Sequence, residues 1–101
     1  MDKLLKELKV VQEGEMIDGV YVVTLNDYDE FSSMYNRLES SVSLSKDSTQ
    51  SSMDEEDAHI LFDNEDYIVE LIALFEEDDY TLNITSLKEE EKTNKEEKEE
   101  N

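Results

Sequence analysis

The chain has 101 residues, with 29 Asp or Glu against nine Lys or Arg, and a formal net charge of −20. It contains no cysteine, which excludes a disulfide framework, a thiolate metal site and a cysteine nucleophile. A field of that sign repels nucleic acid and anionic membrane and attracts basic surfaces, so direct binding to DNA, RNA or lipid headgroups is not expected.

The first segment, MDKLLKELKVV, intersperses Lys and Glu among its leucines and therefore lacks the unbroken apolar stretch of a secretory signal. No later run approaches the length needed to span a bilayer, so a soluble, cytoplasmic protein is expected. Leu4, Leu5, Leu8 and Val11 share one helical face behind Asp2, and Gly14 stands where a helix can stop, which predicts a short amphipathic helix over 2–13. Residues 16–25 are rich in β-branched and aromatic side chains with Tyr21, Val23 and Leu25 alternating, the pattern of a strand.

In the next segment Asp27 and Glu30 have the spacing of a capping box, followed by Phe31, Met34, Tyr35 and Leu38 at i, i+3, i+4 and i+7. This predicts a helix over 27–40 whose Met and aromatic residues form a core stripe. Residues 40–57, SSVSLSKDSTQSSMDEED, carry few apolar side chains to offset their ordering entropy and read as a flexible loop within the domain.

The chain then resumes with AHILFD (58–63), a turn-like DNED, the apolar run YIVELIALF (67–75), EEDD (76–79) and the alternating YTLNITSL (80–87). The outer two apolar segments are strands. The middle one fits a strand with Tyr67, Val69, Leu71, Ala73 and Phe75 on one face; as a helix it would set the acids at 76–79 against the negative end of its own macrodipole. An α+β fold follows, with a small antiparallel sheet of about four strands, the last three a meander, and two helices; the alternative makes the last unit β-α-β. Residues 1–87 then form one acidic domain. The tail KEEEKTNKEEKEEN (88–101) has no apolar side chain and reads as a disordered, solubilising extension. With about 70 ordered residues a single core is marginal, which leaves room for a partner or a second copy to complete it.

Enzymatic signatures are missing. The only histidine, His59, lies in the apolar segment AHILFD and reads as structural; the two glycines, Gly14 and Gly19, cannot build a phosphate loop. The acidic clusters DEED, DNED and EEDD offer hard oxygen ligands, but the EF-hand pattern fails for want of its turn glycine and terminal Glu. No dedicated metal site and no cofactor are expected.

What remains is the placement of charge. Between residues 10 and 87 the only bases are Arg37 and Lys46. In a meander the start of 58–63, the end of 67–75 and the start of 80–87 lie at one end of the sheet. That geometry brings Asp54, Glu55, Glu56 and Asp57 together with Glu76, Glu77, Asp78 and Asp79, while Asp63, Glu65 and Asp66 occupy the opposite end. The helix-connected alternative returns the same two runs to one end. Carboxylates about 5 Å apart repel by somewhat under ~1 kcal/mol even at the dielectric of water, a cost that one or two lysines would remove. The expectation is a binding surface for a basic partner, with Asp27, Asp29 and Glu30 as a further acidic group.

In size, in its lack of Cys and Pro, and in clusters such as MDEED, FDNED and FEEDD, the chain resembles the small inhibitors of phages and mobile elements that act as DNA mimics, among them anti-CRISPR proteins that block Cas9 and anti-restriction proteins. The resemblance implies a noncatalytic inhibitor whose carboxylates occupy the nucleic-acid-binding surface of an enzyme, with a basic nucleic-acid-binding protein as its partner. An acidic adaptor or assembly factor for a basic protein, with the 67–75 run and helix 27–40 as its apolar interface, is the alternative.

Overall fold

In a computed structural model of the protein, the structure describes residues 2–87. Two helices, α1 (Asp2–Glu7) and α2 (Tyr28–Ser40), accompany seven strands: β1 (Glu15–Ile17), β2 (Val20–Leu25), β3 (Ser45–Lys46), β4 (Ser52–Met53), β5 (Asp57–Asp63), β6 (Tyr67–Leu74) and β7 (Asp79–Ser86). The strands form one sheet in the order β1-β2-β7-β6-β5-β3, with β4 also on β5, and every pairing is antiparallel. The fold class is the expected α+β, with more strands than the four anticipated. Among the described residues no helix is long and apolar enough to cross a membrane.

The 67–75 segment is the strand β6 and the β-α-β alternative falls. Val69, Leu71 and Ala73 are fully buried while Leu74 is exposed and the residues between are half-buried, so the side-chain period is two. Phe75 leaves the strand into a single 3₁₀ turn over Phe75–Glu77, which keeps the acids out of a helix C-terminus.

Three expectations change. The 16–25 segment is a hairpin rather than one strand, because Asp18 and Gly19 both take positive φ (52° and 83°) and close a two-residue turn between β1 and β2. An Asp-Gly pair suits that mirror-image turn, whose twist matches the flanking strands.

Helix α1 stops well before Gly14. Lys9 takes the left-handed conformation (φ 57°), the Val10 N–H donates to the Leu5 carbonyl at 3.0 Å and the Lys9 N–H to that of Lys6 at 3.1 Å. This is a Schellman stop with lysine in the glycine position, and Leu5 and Val10 both pack on the core beside it. Gly14 serves a different purpose: a Cβ there would stand 2.7 Å from the Tyr21 ring and from the Val22 carbonyl oxygen, and its N–H donates to the Tyr21 hydroxyl at 2.9 Å.

The serine-rich 40–57 segment, expected as a flexible loop, holds two short strands and a 3₁₀ turn laid along β5. Leu44 is buried, the Asp47 N–H donates to the Leu61 carbonyl at 2.8 Å, and the Ser51 hydroxyl accepts from the Leu61 N–H at 2.9 Å. Backbone pairing and serine hydroxyls supply here what apolar composition does not. The 88–101 tail lies outside the described residues.

The core sits between the helices and one face of the sheet. Leu4 and Leu8 follow α1, Phe31, Met34 and Leu38 come from α2, and alternate residues of β2, β5, β6 and β7 complete it. Each aliphatic or aromatic side chain buried fully contributes about 1.5–3 kcal/mol. The stripe of helix 27–40 and the 69–73 face of β6 are therefore consumed by the chain's own core.

Candidate acidic binding pole

The end of the sheet that carries the acids is built by two strand turns and the start of a helix. In the register Asp57 faces Leu74, and Leu74 faces Asp79 on its other side. The Phe75 N–H donates to the Glu56 carbonyl at 3.0 Å, tying the 54–57 turn to the 75–78 turn. The two acidic runs thus meet, as the meander requires, although the shortest stretch of chain between them is the whole of β5 and β6.

A third group joins them. Leu25 at the end of β2 faces Tyr80 at the start of β7, so α2 begins at this same end. Asp27 caps it, its Oδ1 accepting from the Glu30 N–H at 3.0 Å, and Glu30 in turn accepts from the Asn26 N–H at 2.8 Å and from the Gln12 amide. Beneath the acids lies an aromatic cluster of Tyr28, Phe31, Phe75 and Tyr80, with ring centroids 5.5–6.3 Å apart. The N-terminal end of the α2 macrodipole points into the pole and offsets part of its charge.

The carboxylates differ in what they already do. Asp54 Oδ1 accepts from the N–H groups of Glu56 (2.8 Å) and Asp57 (3.0 Å). Those donors, Asp57 first, hold its carboxyl below the usual carboxylate range. Asp54 therefore shapes its turn and presents only its second oxygen. Asp78 occupies the left-handed corner of the next turn (φ 54°). Tyr80 is buried behind it; burial first, and then the Asp78 carboxylate, raise its phenol above the ordinary value. Glu55, Glu56, Asp57, Glu76, Glu77 and Asp79 are all exposed.

Among the described residues no Lys or Arg forms an ion pair with them, while Lys9 and Arg37 line a cavity with Asp27, Asp29 and Glu30. Lys46 pairs with Glu39 (3.3 Å), and His59 bonds to Glu70 (2.8 Å). Arg37, in the last turn of α2, donates to the Leu8 carbonyl at 3.4 Å. His59, expected as structural, is exposed on the face of the sheet opposite the helices, where it bonds across the strands to Glu70.

Asp63, Glu65 and Asp66 lie at the far end, in the β5–β6 turn, where Asn64 Oδ1 accepts from the N–H groups of Asp66 and Tyr67. They do not join the pole. Lys3 and Glu7 of α1 line a cavity with Asp66 and Tyr67 there, so this end is more mixed in charge. Among the described residues no set of three His, Cys, Asp or Glu side chains is placed to hold a metal ion.

Sequence reasoning named Asp27, Asp29 and Glu30 without locating them. Their arrival at the pole depends on β2 pairing with the last strand on the side away from β1, and no local pattern signals that. Comparison with protein-family models, curated proteins and solved structures finds no match for this chain.

Proposed function

We propose that the chain is a noncatalytic inhibitor that acts as a nucleic-acid mimic, presenting its acidic pole to the basic nucleic-acid-binding surface of an enzyme such as Cas9 or a restriction enzyme. The observation that supports this reading is the junction of two carboxylate turns through the Phe75–Glu56 bond, with no lysine or arginine among the described residues ion-paired to them. Asp57 and Asp79 stand two strands apart, about 10 Å, and alternate residues of one strand are about 6.7 Å apart on one face. These separations are of the order of those between phosphates of a nucleic acid. The partner's cations meet such charges on folded turns and incur little ordering cost in the mimic.

Asp27, Glu30, Asp54 and Asp78 serve the fold as cap and turn formers; the carboxylates of Glu55, Glu56, Asp57, Glu76, Glu77 and Asp79 make no such bond. One or two lysines among 54–57 or 76–79 would relieve the repulsion within the pole, and their absence is what a surface directed at cations needs. The roles fall to Glu55, Glu56, Asp57, Glu76, Glu77 and Asp79 as contacts and to Asp54 and Asp78 as turn formers. Asp27 and Asp29 extend the patch, and Asp63, Glu65 and Asp66 form a separate, secondary contact.

The test is capture of partners by the tagged full chain from cells that carry CRISPR and restriction enzymes. It is repeated with E76Q, E77Q, D78N and D79N combined. Loss of a nucleic-acid enzyme from the captured set on charge removal supports mimicry, as does competition by duplex DNA. Affinity for that enzyme should fall about tenfold or more as salt is raised from about 0.05 to 0.5 M. Capture that survives the charge removal and the added salt refutes it.

A further inference from the structure

The helices cover one face of the sheet; no described element covers the other. On that outer face Val20, Val22, Ile68 and Ile72 are half-buried, and Ile17 and Leu74 are 48% and 38% exposed. They form an interrupted apolar band: Ile17 faces Val20 across β1–β2 and Thr85 bridges Val20 to Ile68 across β2–β7–β6, while Glu70 separates Ile68 from Ile72 along β6 and β7 contributes only Asp79, Thr81, Asn83 and Thr85 to this face. At its centre, between Val22 and Glu70 in the register, is Asn83, whose Oδ1 is buried without a hydrogen bond. An orphaned acceptor of this kind costs about 1–3 kcal/mol and marks a surface not finished for water. The charges that frame the band are Glu15, Asp57, Asp63, Glu70 and Asp79, and the one basic group, His59, is already bonded to Glu70.

We infer that this outer face docks a basic amphipathic helix of the partner protein, its apolar side on Val22, Ile68, Ile72 and Leu74 and its Lys or Arg residues on Asp57, Glu70 and Asp79. The proposal deepens the proposed function in one respect, that the partner is basic. Charge decides the occupant. A second copy would set the same carboxylate frame against its own image, each like pair at about 5 Å costing nearly ~1 kcal/mol even in water. The chain's own residues 88–101 have no apolar side chain with which to fill the band. A helix is the shape that the sheet already accepts on its other face, where α2 lies against β6 and β7. Leu74, flanked in the register by Asp57 and Asp79, joins the band to the acidic pole, so one partner can engage both.

The test uses the full chain, ¹⁵N-labelled, and two synthetic Leu/Lys peptides of about five helical turns. One is ordered to give an apolar helical face; the other has the same composition scrambled. At about 0.15 M salt the ordered peptide should bind about tenfold tighter or better and shift the amides of Val22, Ile68, Ile72 and Asn83. Ile68→Thr with Ile72→Thr, which keeps β-branching, should remove that preference and leave the scrambled peptide's affinity unchanged. Leu74→Ser, at an exposed position, is the milder variant if the double one fails to fold.

Equal affinity of the two peptides overturns the proposal. So do shifts confined to 54–57 and 75–79, and so does a concentration-dependent dimer in sedimentation that Ile72→Thr abolishes. The two readings separate. If ordered-peptide binding on this face persists while no nucleic-acid enzyme is captured, mimicry fails and the docking face stands; the reverse pattern leaves the pole and removes the docking face.

Discussion

Asp78 and Asp54 show how a single acidic residue can shape a turn as well as carry charge. Asp78 sits at φ 54°, a conformation that costs an ordinary L-residue about 1–2 kcal/mol and that Asp and Asn tolerate better than most. Asp78→Ala should therefore destabilise the protein by about 1 kcal/mol relative to Asp78→Gly. Both remove the same carboxylate, so chemical denaturation of the two variants isolates the backbone. Asp54 differs in that its ionised form is favoured by two backbone donors, which lowers its pKa below 3.8. A depressed carboxylate contributes stability that is fully present above the unfolded value and is lost as pH falls through the folded one. The stability difference between wild type and Asp54→Asn should hence stay constant above about pH 5 and change below it, as the unfolded chain and then the folded protein take up the proton. A difference that varies between pH 5 and 7 would contradict the assignment.

Among the elements, α1 and the β1–β2 hairpin were partly legible and partly not. The apolar spacing of Leu4, Leu5 and Leu8 marks a helix that buries Leu4 and Leu8 and half-buries Leu5. The stop at Lys9 was hidden, because the left-handed position is held by lysine where glycine is the usual signal. Lys9→Gly should raise stability by about 0.5 to 1 kcal/mol, relief of the left-handed strain exceeding the entropy that glycine adds to the unfolded chain. Urea unfolding measures it, and a loss of stability would mean that the lysine stem packs where its backbone is strained. The Asp18-Gly19 turn carried a readable signal, overshadowed by the long β-branched run around it. Segment 40–57 lacked one: its order comes from pairing with β5, and a serine-rich composition looks the same whether or not a strand lies beside it.

At the scale of the whole molecule, the uneven charge opposes compaction. Added salt should stabilise this protein, because screening shortens the Debye length from about 30 Å at 0.01 M to about 3 Å at 1 M and weakens repulsion within the pole and between the pole and the far turn. Thermal unfolding followed by circular dichroism should show a rising midpoint with NaCl. A falling midpoint would show that attractive pairs, such as Lys46 with Glu39, outweigh the repulsion. The same salt that steadies the fold should weaken the proposed complex. Stability and affinity are thus expected to move in opposite directions along one salt titration, an uncommon signature for a protein whose partner is bound by charge.

The sequence by itself determined the sign and density of charge, the amphipathic stripe and capping of α2, the alternation of β5, β6 and β7, and the meeting of 54–57 with 76–79. All of these follow from side-chain periods and from reversals between neighbouring segments, which are local properties of the chain. Only the tertiary structure decided that β2 closes against β7, that α2 in consequence adds Asp27 and Asp29 to the pole, and that no described element covers the second face of the sheet. Strand order is chosen by which long-range pairing seals the core, and residues as far apart as Leu25 and Tyr80 leave no trace of that choice in either segment alone.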